Sequence, residues 1–103
     1  MKIKFHSEAR KEFFESAEYY EEQVVGLGDN FIDEIEKVLG VIEQQPSSGT
    51  KITGTERRFL VSRFPYGIIY SVDDDLITVF AVMNLRRKPG YGNLELKAVG
   101  ITP

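Results

Sequence analysis

Between Arg57 and Gly92 the chain reads RRFLVSRFPYGIIYSVDDDLITVFAVMNLRRKPGYG, and no other stretch restricts the possible folds as tightly. From Arg58 to Arg63 apolar and polar residues alternate, with Phe59 and Val61 on one side and Arg58, Leu60 and Ser62 on the other. That is the period of a strand with one buried face. Phe64-Pro65-Tyr66-Gly67 places proline and glycine at the second and fourth positions of a type I turn. Ile68–Val72 predicts the next strand, Asp73-Asp74-Asp75 a polar reversal, and Leu76–Leu85 a long third strand. In that last strand strict alternation sends Leu76, Phe80 and Val82 one way and Ile77, Val79, Ala81 and Met83 the other. Apolar residues on both sides mark a central strand covered on both faces.

The residues before this meander predict what covers it. Lys2–Phe5 alternates and reads as a short strand, and Ser7 stands where a helix N-cap belongs, followed by Glu8 at the positive end of the helix dipole. From Glu8 to Gln23, Ala9, Phe13, Ala17, Tyr20 and Val24 recur at intervals of three and four, an amphipathic stripe. Gly26 and Gly28 interrupt it. A second stripe then runs through Leu27, Phe31, Ile35, Val38 and Ile42, and Pro46 ends it. Two helices joined by so short a turn form an antiparallel hairpin.

The expected fold is therefore α+β, in the order β-α-α-β-β-β. The helical hairpin packs on one face of a four-stranded antiparallel sheet. One hairpin covers one face only, so the second apolar face is expected to be exposed and to belong to a partner. Residues 1–92 form the predicted domain and 93–103 a tail.

The chain has 103 residues and no cysteine, which excludes a disulfide framework and a thiolate metal site. No apolar run approaches the ~20 residues needed to cross a bilayer. MKIKFHSEARK lacks the apolar core of an export signal, so the expected location is the cytoplasm, with no membrane contact. The formal charge is −3, but residues 1–50 hold 5 Lys and Arg against 11 Asp and Glu, and residues 51–103 hold 8 against 5. A basic face on an acidic protein is compatible with that asymmetry.

Its candidates are Arg86, Arg87 and Lys88, followed by Pro89-Gly90-Tyr91, with Arg57, Arg58 and Arg63 on the neighbouring hairpin. Guanidinium forks match phosphate oxygens, and a phenol can stack on a base or assist proton transfer. Five arginines converging on one sheet surface would make an anion site. Solvated strand ends that discourage edge pairing account for the same residues equally well. His6, the only histidine, reads as a strand-to-helix junction residue, and with no cysteine or second histidine neither a zinc site nor a His-based acid–base couple is expected. Asp73–Asp75 reads as turn chemistry rather than a cation site. Gly26-Leu27-Gly28 lacks the third glycine and the preceding strand of a dinucleotide loop. No cofactor is expected.

Several strings of this sequence resemble the RelE/ParE superfamily of toxins from type II toxin–antitoxin modules, the plasmid stabilisation proteins. They are Ala9 with Glu12, Tyr19-Tyr20-Glu21, Gly26-Leu27-Gly28 leading to Phe31 and Glu34, and Pro46. The second half adds Arg57-Arg58 through Arg63-Phe64-Pro65-Tyr66-Gly67-Ile68-Ile69-Tyr70, and Ala81-Val82-Met83 followed by Arg86-Arg87-Lys88-Pro89-Gly90-Tyr91. The resemblance implies a growth-inhibiting toxin held inactive by a cognate antitoxin, as a homodimer or a toxin–antitoxin hetero-oligomer. It leaves two activities open. RelE-like members cut mRNA on the ribosome without a metal, and here Arg58, Arg86, Arg87 and Tyr91 are the catalytic candidates. ParE-like members inhibit DNA gyrase by binding it. Arg57, Arg63, Asn84 and Lys88 are the candidate target contacts under either activity. The arginine that RelE carries at the start of the following strand falls here on Gly67. Asn84 stands where related chains often have histidine, and Gly92 where they often have tryptophan. Asparagine holds a hydrogen bond but takes no proton near neutral pH. These departures tilt the expectation toward gyrase binding or an inert interaction domain.

Overall fold

The computed structural model describes residues 1–86. Its elements run β1 (Lys2–Phe5), α1 (Ser7–Gln23), α2 (Leu27–Gln44), β2 (Thr50–Lys51), β3 (Glu56–Leu60), β4 (Tyr66–Asp73) and β5 (Leu76–Asn84). The sheet has five strands in the order β1-β5-β4-β3-β2. This corrects the four-stranded antiparallel expectation on two points. Thr50 and Lys51, inside the loop after Pro46, pair antiparallel with Arg58 and Arg57 and add a strand. The first strand lies parallel to the last, Lys2 beside Leu76 through Phe5 beside Val79. The parallel direction is open to this pair because the whole hairpin and meander separate the two strands and no tight turn forces them antiparallel.

The helical hairpin forms as its periodicity predicts, with one exception. Ala9 and Ala17 of α1 and Phe31, Ile35, Val38 and Ile42 of α2 are buried, whereas Val24 is 59% exposed because α1 ends at Gln23. The helix N-cap is His6, not Ser7: His6 has extended backbone angles and its Nδ1 accepts from the Glu8 amide at 3.3 Å. Between the helices Gly26 takes the left-handed conformation, φ 89°. A side chain at Gly28 would place its Cβ 2.6 Å from the Ala17 carbonyl oxygen. Glu21 then reaches across the turn, accepting from the amides of Gly26 (2.9 Å) and Gly28 (3.0 Å). A glutamate at the end of α1 thus satisfies free amides at the start of α2, where a carboxylate also suits the helix dipole.

The main core lies between the helices and one sheet face. Phe31 sits at its centre, with ring centroids 4.9 Å from Tyr66 and 5.3 Å from Phe64, and Ile68, Tyr70, Ile77, Val79 and Val82 complete it. Strict alternation fails in β5. The register pairs Ile69 with Ala81 but Tyr70 with Val79, so Phe80 is an extra residue, a β-bulge. It shifts the parity. Ile77 and Val79 share the helix face with Val82, while Phe80 joins Ala81 and Met83 on the other.

That second face is less open than expected. Ile69, Ala81 and Met83 on it are buried, packed with Phe80 from the bulge and Ile52 from the loop after β2. Exposed apolar surface remains at Leu60 and Leu85. The β3–β4 turn also falls earlier than predicted. β4 already begins at Tyr66, and Gly67 sits inside the sheet between Leu60 and Met83.

Candidate functional site

The basic residues singled out from sequence are parted by the fold. Arg57 lies opposite Tyr70, hence on the helix side of β3. There its Nη1 donates to the carbonyls of Ser47 (3.1 Å) and Gly49 (2.9 Å), pinning the loop after α2. Arg58, one residue on, lies opposite Ile69 on the other face. Its stem crosses Gly67, where an added methyl would lie 3.4 Å from Arg58 Cγ and Cδ, and its Nε is buried without a hydrogen-bond partner. Arg63, in the β3–β4 turn with φ 71°, reaches back to α2 and donates from Nη1 to Glu34 Oε2 at 3.4 Å. Glu34 is 5% exposed and also meets Lys37 Nζ at 3.3 Å. Arg86 follows the end of β5 and shares a cleft with Tyr19 and Tyr20 of α1. Of these four arginines only Arg63 and Arg86 therefore come to one place, the cleft beside α1, while Arg57 and Arg58 lie on opposite faces of the sheet. Alternation alone separates Arg57 from Arg58, and the acid that draws Arg63 away is 29 residues distant. Arg87, Lys88 and Tyr91 lie outside the described residues.

What the fold does assemble is that cleft, about 500 Å³ beside α1, lined by Tyr19, Tyr20, Leu27, Arg63, Phe64, Pro65, Asn84 and Arg86. Behind it runs a chain of hydrogen bonds. Tyr66 donates its phenol to Ser16 Oγ (3.0 Å) and accepts from Asn84 Nδ2 (3.4 Å), and Asn84 Oδ1 accepts from the Arg86 amide (2.9 Å). Asn84, a candidate target contact, is thus half-buried and committed to holding the end of β5. One turn earlier on α1, Glu12 Oε1 accepts from the Val82 amide at 2.8 Å. That amide lies beyond Val79, where β1 stops pairing with β5, so a side chain continues the edge that a strand has left. Burial, with the adjacent Tyr66 and Tyr19 phenols, pushes the Tyr20 hydroxyl up to about 12, against a lowering pull from Arg86.

Sequence reasoning does not single out Tyr19 or the Glu12–Ser16–Tyr20 ridge as site residues. The spacing of four along α1 is visible in the sequence and puts the ridge on one side of the helix. Nothing local shows that the end of β5 lies against it. Among the described residues no group of three His, Cys, Asp or Glu could hold a metal ion, and no helix is long and apolar enough to cross a membrane.

The family model described as ParE toxin of type II toxin-antitoxin system, parDE, matches residues 3–89. The chain belongs to this ParE toxin family. Two solved structures share the ParE-like fold. One is described as the chromosomal ParDE toxin–antitoxin system from P. aeruginosa, at TM-score 0.59 and 11% identity, covering 84% of this chain and 97% of that one. The other is the isolated E. coli RelE toxin, at TM-score 0.63 and 17% identity, covering 94% and 97%. No curated protein sequence matches the chain. Membership in the ParE toxin family makes the chain the toxin of a type II module and implies an antitoxin partner.

Proposed function

We propose that this ParE-family toxin arrests growth by binding DNA gyrase, with no bond-breaking chemistry of its own. The observation that carries the reading is the separation of the cations among the described residues, where Arg57 and Arg58 face opposite sides of the sheet and only Arg63 and Arg86 share a cleft. Metal-free cleavage of a phosphodiester needs several donors preorganised around one phosphate, where charge develops in the transition state. Among the described residues Arg57 donates to loop carbonyls, Arg63 meets Glu34 and lines the cleft with Arg86, and Arg58 lies on the opposite sheet face. Gly67 offers no side chain, and Asn84 is bonded to Tyr66 and the Arg86 backbone. Binding, by contrast, needs only a complementary surface.

One observation favours the RelE-like alternative. The Arg58 Nε–H, buried without an acceptor, is a donor of the kind a phosphate would satisfy. Inducible expression in a bacterial host without the antitoxin separates the two, together with a supercoiling assay on purified gyrase. The expected outcome is induction of the DNA-damage response, intact messages and loss of supercoiling activity. Messages cut within minutes, with supercoiling unimpaired, would refute the gyrase reading and support ribonuclease action by Arg58, Arg86, Arg87 and Tyr91. Unimpaired growth would leave an inert interaction domain.

A further inference from the structure

We infer that the pocket between the β2–β3 hairpin and the loop after α2 binds a small phosphate, either the free ion or the phosphate of a small phosphomonoester. The inference goes beyond the toxin's target and does not depend on it. Three features of the pocket carry it.

The first is a pair of like charges. Lys51 of β2 lies directly opposite Arg57 of β3, and facing residues of an antiparallel pair share one side of the sheet. Like charges placed this way, with Cβ atoms about 5 Å apart, destabilise the pairing. Among the described residues the ion pairs within 4 Å join Glu34 to Lys37 and to Arg63, so no carboxylate offsets either cation. Glu56, next to Arg57 in sequence, lies on the other side of β3 opposite Ser71, and its carboxylate accepts from the Thr53 hydroxyl. The fold thus holds two positive charges together where a negative one is missing.

The second is the set of donors. The pocket has a volume of about 310 Å³ and is lined by Ser47, Lys51, Gly54, Thr55 and Arg57, with no Asp or Glu among its lining residues. Arg57 uses Nη1 alone for the Ser47 and Gly49 carbonyls, at 3.1 and 2.9 Å. Its Nη2 and Nε therefore keep donors to spare, and the two bonds fix the guanidinium before any ligand arrives. The Thr55 hydroxyl makes only a 3.4 Å contact with Glu56 Oε2. A fixed fork, an ammonium and two hydroxyls suit an anion with three or four acceptor oxygens better than a planar carboxylate.

The third is size and position. The volume is at the small end of ligand sites. A nucleic-acid strand bears a charge at every nucleotide and needs many cationic contacts; here it would find two. Ser47 belongs to the loop and Lys51 and Thr55 to the hairpin, so one anion touching both walls ties the loop to the edge of the sheet.

The test uses the full chain in phosphate-free buffer at pH 7, titrated with inorganic phosphate and separately with glycerol phosphate. Chloride at matched ionic strength and acetate are the controls. Phosphate is expected to raise the melting temperature by mass action, with amide shifts at Ser47, Lys51, Gly54, Thr55 and Arg57. Lys51→Gln, at an exposed position, should weaken binding about tenfold through loss of one charge-assisted contact. Without phosphate the same variant should melt at or above the temperature of the unmodified chain, because a repulsion has been removed. Arg57 is left in place because it holds the loop. Equal stabilisation by chloride or acetate, an undiminished response in Lys51→Gln, or shifts gathered at Arg58 or Arg86 would overturn the assignment. So would a Lys51→Gln variant that melts well below the unmodified chain without phosphate, since Lys51 would then serve the fold itself. Tighter binding of glycerol phosphate makes the occupant a phosphomonoester, tighter binding of inorganic phosphate makes it the free ion, and either order upholds the site.

Discussion

Removing one oxygen atom from Tyr70 should cost this protein a large part of its stability. Tyr70 is fully buried, and its phenol sits between two backbone groups of the loop that follows α2. It donates to the Pro46 carbonyl at 2.8 Å and accepts from the Gly49 amide at 2.9 Å. The approach is close enough that a side chain at Gly49 would put its Cβ 2.7 Å from that oxygen. Tyr70→Phe keeps the ring and its packing but leaves a half-buried acceptor, the Pro46 carbonyl, and a buried donor, the Gly49 amide, unmatched. An orphaned buried polar group costs about 1–3 kcal/mol, so the pair should cost about 2–4 kcal/mol if neither finds water. At roughly 4–8 °C per kcal/mol for a domain of this size, the melting temperature should fall by upwards of about 8 °C. Urea denaturation gives the free energy, and amide exchange gives the location, with Gly49 expected to lose protection more than the core strands. Arg57 continues to hold the Gly49 carbonyl in the variant, so the loop loosens at its amide side first. A loss below about 0.5 kcal/mol, with Gly49 still protected, would mean that the phenol is not what fastens this loop.

Two further perturbations test other links. Glu21→Ala removes the carboxylate that accepts from the Gly26 and Gly28 amides, and should destabilise the fold by about 0.5–2 kcal/mol in chemical denaturation, as loss of an N-terminal helix cap does. The raised Tyr20 hydroxyl predicts an alkaline limb in stability. The folded protein holds this proton more tightly than the unfolded chain, so stability is complete below about pH 10, falls as pH rises toward 12, and levels off above it. Tyr20→Phe should flatten that limb in denaturation curves taken across the range, and tyrosinate absorbance should show one phenol fewer among the last to ionise.

The helices were legible because burial in them follows a local period, and the stripes through Phe31, Ile35, Val38 and Ile42 lie where the spacing puts them. The meander was legible in order but not in parity. Phe80 is as apolar as its strand neighbours, and its extrusion depends on how Ile69 and Tyr70 meet β5 across the sheet, which no window of sequence contains. The same limit applies to the site. That Arg57 and Arg58 face opposite sides was implicit in the alternation with Phe59. The partnership of Arg63 with Glu34, and the meeting of Tyr19 and Tyr20 with Arg86, join elements far apart in the chain, and residue types alone could not choose between a shared anion site and separate roles. Asn84 shows the same limit: its bonds to Tyr66 and to the Arg86 amide fasten the end of β5, and its place in the cleft lining depends on elements far apart in the chain.

The parallel pairing of residues 2–5 with 76–79 has a consequence for synthesis. Residues 2–5 find their place only beside residues 76–79, which are synthesised much later. Until Leu76 to Val79 emerge, β1 has no neighbouring strand and α1 has no sheet to lie on, so the layered core cannot close over a growing chain. A product that stops before residue 76 is left without the strand that joins β1 to the sheet and carries the main sheet contact of α1, so its helices have no finished layer to pack on.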